Sequence, residues 1–197
     1  MKRSYIILGS IALLVIILFG TYRSSYNSAI KYKMAVKRSW GDVQTTYQRR
    51  ADLIPQLVAT VKGAAKNEKE ILTNVTNARA GITNFDPNQL QQEIGNAQNP
   101  RQIDLAGKKI NTAINLAFEA YPQIRSTEAF FGLQTDITGT ENRINKARQD
   151  YNEAIEIYNT HISGFLNSTF LNKTTFPYIE ESFSASAGSE KAPDIKF

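Results

Sequence analysis

The chain predicts an all-α protein: a single N-terminal transmembrane helix that continues into a long antiparallel helical bundle. Three observations carry this. The N-terminus holds a long uncharged run, two stretches repeat apolar residues at a 3–4 spacing, and no segment shows convincing strand alternation.

The uncharged run extends from Ser4 to Tyr22, mostly Ile, Leu, Val, Ala and Phe. At about 1.5 Å per residue it spans about 28 Å, close to the roughly 30 Å of bilayer hydrocarbon. Lys2 and Arg3 precede it and Arg23 follows it. Tyr5 and Tyr22 fall at the two interfaces, where amphipathic rings are favoured. A cleaved secretory signal would have a shorter apolar region and a small-x-small site. The exit instead reads Leu18-Phe19-Gly20-Thr21-Tyr22-Arg23. No cysteine is present, which excludes lipoprotein processing, thiol nucleophiles and cysteine metal sites together. Residues 1–25 are therefore expected to stay as a transmembrane anchor.

The net charge of +5 is unevenly placed. Lys2, Arg3, Arg23, Lys31, Lys33, Lys37 and Arg38 give residues 1–41 a charge of +7 with no acid. Residues 42–197 hold 16 basic and 18 acidic side chains, a charge of −2. The basic residues form a lipid-facing collar, attracted to anionic headgroups by roughly 1 kcal/mol per residue near the surface. A nucleic-acid reader would need a basic stripe on the body, so no nucleic-acid partner is expected.

Residues 26–171 read as the bundle and 172–197 as an irregular tail. The first stripe runs from Trp40 through Val43, Tyr47, Arg50, Ile54, Leu57, Val61, Ala64, Glu68, Ile71, Val75 and Ala78 to Ile82. Pro55 lies inside it and removes one backbone hydrogen bond, which predicts a bend near Arg50–Leu53 rather than a stop. Asp86-Pro87 and Asn99-Pro100 each pair a capping side chain with proline at the first helical position, predicting helices over 87–96 and 100–120. The second stripe runs from Phe130 through Leu133, Ile137, Thr140, Ile144, Ala147, Tyr151, Ala154, Tyr158 and His161 to Phe165. It predicts a helix over about 127–171, loosened at Gly132 and Gly139. The tail is rich in Ser and Thr, yet Phe176, Tyr178, Ile179, Phe183, Ile195 and Phe197 are too apolar to leave all of it free of the bundle or a neighbour.

The run from Gln48 through Arg49-Arg50-Ala51-Asp52-Leu53-Ile54-Pro55 to Val58, continuing to Val61-Lys62-Gly63, resembles the signature of the LemA family of bacterial membrane proteins. Tyr26-Asn27, Trp40, Glu68 and Ala78-Arg79 extend the resemblance. Tyr121-Pro122, Glu141-Asn142-Arg143-Ile144, Ala147-Arg148, Tyr151-Asn152, Tyr158-Asn159, Phe176, Pro193 and Phe197 carry it to the C-terminus. The Ser/Thr-rich stretch Asn167–Thr175 departs from the proline-containing helix exit expected there. The resemblance implies one membrane helix, a long-helix bundle and no established enzymatic activity. It also implies association with membrane or exported partners, such as TPM-type proteins or membrane metalloproteases.

Charged residues on or beside the stripes are the candidate site: Arg49, Arg50, Asp52, Glu68, Arg79, Glu141, Arg143 and Arg148. Arg50 and Glu68 are 18 residues apart, about 27 Å along one helix, so each needs a partner from another element. Burying a charge without a partner costs several kcal/mol, which favours a cross-helix ion-pair network over an exposed docking surface or a catalytic carboxylate pair. His161 is the single histidine and reads as a packing residue with hydrogen bonds. A di-iron Glu-x-x-His pattern would need Glu where Tyr158 stands. No phosphate loop or nucleophile elbow occurs. No cofactor, no metal and no catalysis are expected.

Topology cues conflict. The basic count after the anchor favours a cytoplasmic body, but long domains translocate largely regardless of charge. The short basic start before an uncleaved apolar run resembles a signal anchor, and the balance falls on an extracytoplasmic body at the bacterial inner membrane. The expected function is a membrane-anchored scaffold that contacts lipid, assembles as a homo-oligomer and presents an interaction surface. The alternative is an adaptor or sensor for a membrane protease or TPM-type partner without large self-assembly.

Overall fold

The computed structural model describes residues 2–65, 86–120 and 127–184. It is all-helical over regular elements, with no strand among the described residues. Helix α1 spans Lys2–Ala51 and α2 Leu53–Ala65, separated by Asp52. The separation follows from Pro55, which has no N–H to give the Ala51 carbonyl and whose ring crowds it. The Asp52 N–H still reaches the Gln48 carbonyl at 3.0 Å, so the backbone departs from α1 only after that bond. Arg49 and Arg50 occupy the last turn of α1, where cations complement the helix dipole.

Helix α3 covers Pro87–Asn96 and α4 Pro100–Ala120. Asp86 caps α3 by accepting from the Asn88 N–H at 2.8 Å, and Asn99 accepts from the Gln102 N–H at 3.0 Å at the start of α4. In return the Gln102 side chain accepts from the Gln98 N–H at 2.7 Å. Helix α5 covers Glu128–Ser163, begins on a Thr127 cap, and runs through Gly132 and Gly139 without interruption. The break falls at Gly164, after which the short helix α6 covers Phe165–Phe170. The single helix predicted to residue 171 thus ends about two turns early, at Ser163. Residues 172–184 are non-helical.

The chain divides into two compact units. One comprises Met1–Trp40 with Asp150–Ser182, the other Gly41–Gln149 with the segment from Phe183 onward. In the first unit, Ala29, Val36, Ile155, Tyr158, Leu171 and Phe176 are buried. The tail here is packed: the Tyr158 hydroxyl donates to the Pro177 carbonyl at 3.0 Å. Asn159 donates to the Ile179 carbonyl at 2.8 Å and accepts from the Ile179 N–H at 3.1 Å. Asn159 thereby binds the tail rather than a neighbouring helix. Tyr178 is exposed, while Ile195 and Phe197 lie outside the described residues.

In the second unit, Val43, Tyr47, Leu57, Ile94, Ile103, Ile110 and Ile144 form the most buried layer. Helix α4 packs on both α2 and α3. Gln44 ties α1 to the end of α3 by donating to the carbonyls of Ile94, Gly95 and Ala97 at 3.0–3.1 Å. Gly107 on α4 makes the closest approach: a Cβ there would lie 2.7 Å from Tyr47 Cε1. Helix propensity alone would favour alanine by about 1 kcal/mol. Overpacking costs roughly 1–3 kcal/mol, and the Tyr47 ring is fixed at its hydroxyl end, so the clash dominates. Gly107→Ala is expected to lower the thermal midpoint of the detergent-solubilised protein, read by far-ultraviolet circular dichroism; an unchanged or higher midpoint contradicts this packing.

Candidate functional site

The charged cluster of the second unit is built from α1, α4 and α5. Arg50 projects from the last turn of α1 and pairs with Glu141 of α5. The pair is asymmetric: the Arg50 side chain is 10% exposed and that of Glu141 45%. Its energetics are therefore governed by desolvation of the guanidinium, whose Nε has no hydrogen-bond partner among the described residues. Two turns further along α5, Arg148 meets Asp104 of α4 at 2.6 Å and donates to the Tyr47 hydroxyl. That hydroxyl in turn donates to the Asp104 carboxylate at 3.2 Å. The Phe183 ring stacks against the Arg148 guanidinium, 5.0 Å from its carbon to the ring centroid.

Burial pushes the Tyr47 phenol up to about 12; the Arg148 hydrogen bond and charge work against this, and the Asp104 charge adds to it. Burial pulls the Arg148 guanidinium down, but the Tyr47 hydrogen bond and the charges of Asp104 and Glu141 outweigh it and raise it above its usual value. Each carboxylate in the cluster is engaged by a guanidinium that stays charged at any ordinary pH, which suits a structural lock better than proton transfer.

The remaining predicted residues separate. Asp52 accepts from the Gln91 amide at 2.6 Å, a neutral partner. Arg49 and Arg143 are exposed and form no ion pair among the described residues. Glu68 and Arg79 lie outside the described residues. Sequence reasoning missed Asp104 and the polar role of Tyr47. The available signal was Asp104 beside Ile103, one step off the buried face of α4, opposite an arginine that needed a counter-charge.

In the first unit, His161 is a packing residue with hydrogen bonds. Its Nε2 lies 3.0 Å from the Ser25 carbonyl and its ring centroid 5.1 Å from that of Tyr32. The basic residues Arg23, Lys31, Lys33, Lys37 and Arg38 are exposed along α1, which also carries Lys2 and Arg3 at its start. Lys33 is committed to the tail, donating to the Thr175 carbonyl at 2.8 Å over the Phe176 ring. Lys37 and Arg38 stand about 22–24 Å beyond Tyr22 along the helix axis. Among the described residues, no group of three His, Asp or Glu side chains is placed to hold a metal ion.

One helix near the N-terminus is long and apolar enough to cross a membrane, and none of its apolar window is buried. With an all-helical body behind it, the chain fits the class of membrane-anchored helical proteins. The LemA family profile matches residues 39–197, and the chain belongs to the LemA family. It is similar to Protein LemA of Metamycoplasma hominis, 22% identical over 157 residues, which cover 80% of this chain and 68% of that protein. The LemA family is not a known enzyme family.

Two expectations follow from the cluster. Glu141→Ala leaves a buried guanidinium without its counter-charge and should cost about 2 kcal/mol, tempered by the exposure of Glu141. Arg50→Met combined with Glu141→Ala should recover most of that loss in thermal unfolding. The neutral form of Tyr47 is favoured by the fold, since its folded value of about 12 exceeds the ordinary 10.0. The associated stability is complete below pH 10 and is lost as pH rises from 10 towards 12, by at most about 2–3 kcal/mol. Alkaline titration followed by circular dichroism should show a shallower decline for Tyr47→Phe than for the wild-type chain.

Proposed function

We propose that this LemA-family protein is a single-pass, non-catalytic scaffold of the bacterial inner membrane, with an extracytoplasmic body that self-assembles and presents an interaction surface. The observation that carries the reading is the continuity of α1. One uninterrupted helix includes the exposed apolar residues Tyr5–Phe19 and continues to Ala51 within the helical body. Within the first unit the same helix runs on past the apolar residues to Trp40, where α5 packs against it, so the apolar run and the packed body share one element.

Self-assembly is supported by large apolar side chains left open on the body: Leu105, Phe131 and Ile157 are all exposed. The charged cluster supports a structural rather than catalytic role, because its arginines and carboxylates neutralise one another across helices. Lipid is the first partner, further copies of the chain the second, and another membrane or exported protein a third.

Mass photometry and blue-native electrophoresis of the full-length protein, extracted in mild detergent, test the proposal. Assemblies of several chains are expected. A clean monomer at high protein concentration overturns self-assembly.

A further inference from the structure

We infer that the turn joining α5 to α6 is a second membrane contact, with Phe165 and Leu166 seated at the headgroup–acyl boundary of the bilayer that holds α1. This rests on the anchored reading above and adds a second point of attachment in the folded body.

The placement comes from contacts within the first unit. Along α5, Tyr151 packs on Trp40 with ring centroids 5.1 Å apart, and His161 lies beside Tyr32 and Ser25. Each step forward along α5 is matched by a step back along α1, so α5 descends towards the end of the apolar run. Beyond the Gly164 break the descent continues. Asn167 accepts from the Ser25 hydroxyl at 2.6 Å, and the Phe170 ring meets Tyr22 edge-on at 6.3 Å. Tyr22 is the last residue of the uncharged run, and Ser25 is about 4.5 Å further along the helix. A headgroup layer is roughly 5–8 Å thick on each side of the hydrocarbon, so Asn167 falls within it.

At that level α6 opens with Phe165, 88% exposed, and Leu166, 57% exposed. Isolated apolar side chains on a water-facing surface are ordinary. An adjacent Phe-Leu pair at the depth where a membrane helix leaves the hydrocarbon has a ready solvent, the acyl boundary that favours such side chains. Arg23, one residue beyond Tyr22, and Lys173, three residues beyond α6, are both exposed and carry charges suited to lipid phosphates. His161 and Asn167 tie the turn down: the Asn167 amide donates to the His161 carbonyl at 2.7 Å, which fixes the entry into α6.

The absence of cysteine in the native chain makes a site-specific test direct. Phe165→Cys, Leu14→Cys and Glu153→Cys, each labelled with an environment-sensitive NBD probe, are reconstituted as full-length protein. The vesicles are phosphatidylcholine with a minority of phosphatidylglycerol. Leu14 reports the membrane span, and Glu153 is exposed about 15 Å back along α5 from Ser163. The probe at 165 should be blue-shifted, strongly quenched by a lipid-borne nitroxide and several-fold less accessible to iodide than the probe at 153. The inference is overturned if the probe at 14 is lipid-quenched while that at 165 behaves like that at 153. It is equally overturned if the probe at 165 is shielded from both quenchers, which would mean a second copy covers the turn. Absence of lipid quenching at 14 itself would remove the anchored reading and this inference with it.

Discussion

The antiparallel pairing of α1 with α5 is the constraint on which the first unit depends. It is made by specific contacts rather than a uniform greasy seam. Trp40 packs on Tyr151, Tyr32 on His161, Tyr22 on Phe170, with a hydroxyl–amide bond from Ser25 to Asn167. Aromatic edges and polar tips have one good register, and a slip of a single residue would separate all of them. Because α1 is the element that carries the apolar run, the register also decides which residues of α5 and α6 approach the end of that run. The tail adds a second layer to the same pairing, since Tyr26, Tyr158 and Asn159 hold Phe176, Pro177 and Ile179.

The second unit meets a different constraint. Its helices bury Arg50 almost completely and Arg148 only in part, and each is matched by a carboxylate from another helix. Such pairs add little net stability over an apolar core of the same shape, but a helix that slides out of register leaves a charge unmatched at a cost of several kcal/mol. The Tyr47–Asp104–Arg148 group joins three helices through one phenol, with Gly107 providing the room for its ring. Specificity of helix register is the property this arrangement secures.

Much of this was legible in the sequence because the signals are local. A proline after Asp or Asn marks a helix start, and α3 and α4 begin at Pro87 and Pro100. The helix long and apolar enough to cross a membrane and the buried faces follow from hydropathy and the 3.6 period. Gly132 and Gly139 were poor guides to a break: a glycine inside a helix costs only about 1 kcal/mol, and the packing of α5 exceeds that. Gly164 breaks the helix where the apolar stripe ends. The ion pairs were legible as residue types but not as partners. Periodicity says that Arg50 and Arg148 need counter-charges, whereas choosing Glu141 and Asp104 depends on which helices meet. Asp104 left no stronger trace than its position beside Ile103. Arg49 and Arg143 belong to the same motifs as their paired neighbours Arg50 and Glu141, yet are exposed one and two residues away.

The return of α5 to the end of the apolar run is the element on which both the proposed scaffold and the proposed bilayer contact stand. Ser25→Cys combined with Asn167→Cys, in the otherwise cysteine-free full-length chain, can be treated with a short thiol-specific crosslinker in vesicles. Rapid bridging within single chains is the result expected from the 2.6 Å contact between those side chains. Bridging only between chains, or none, would contradict the pairing of α1 with the end of α5.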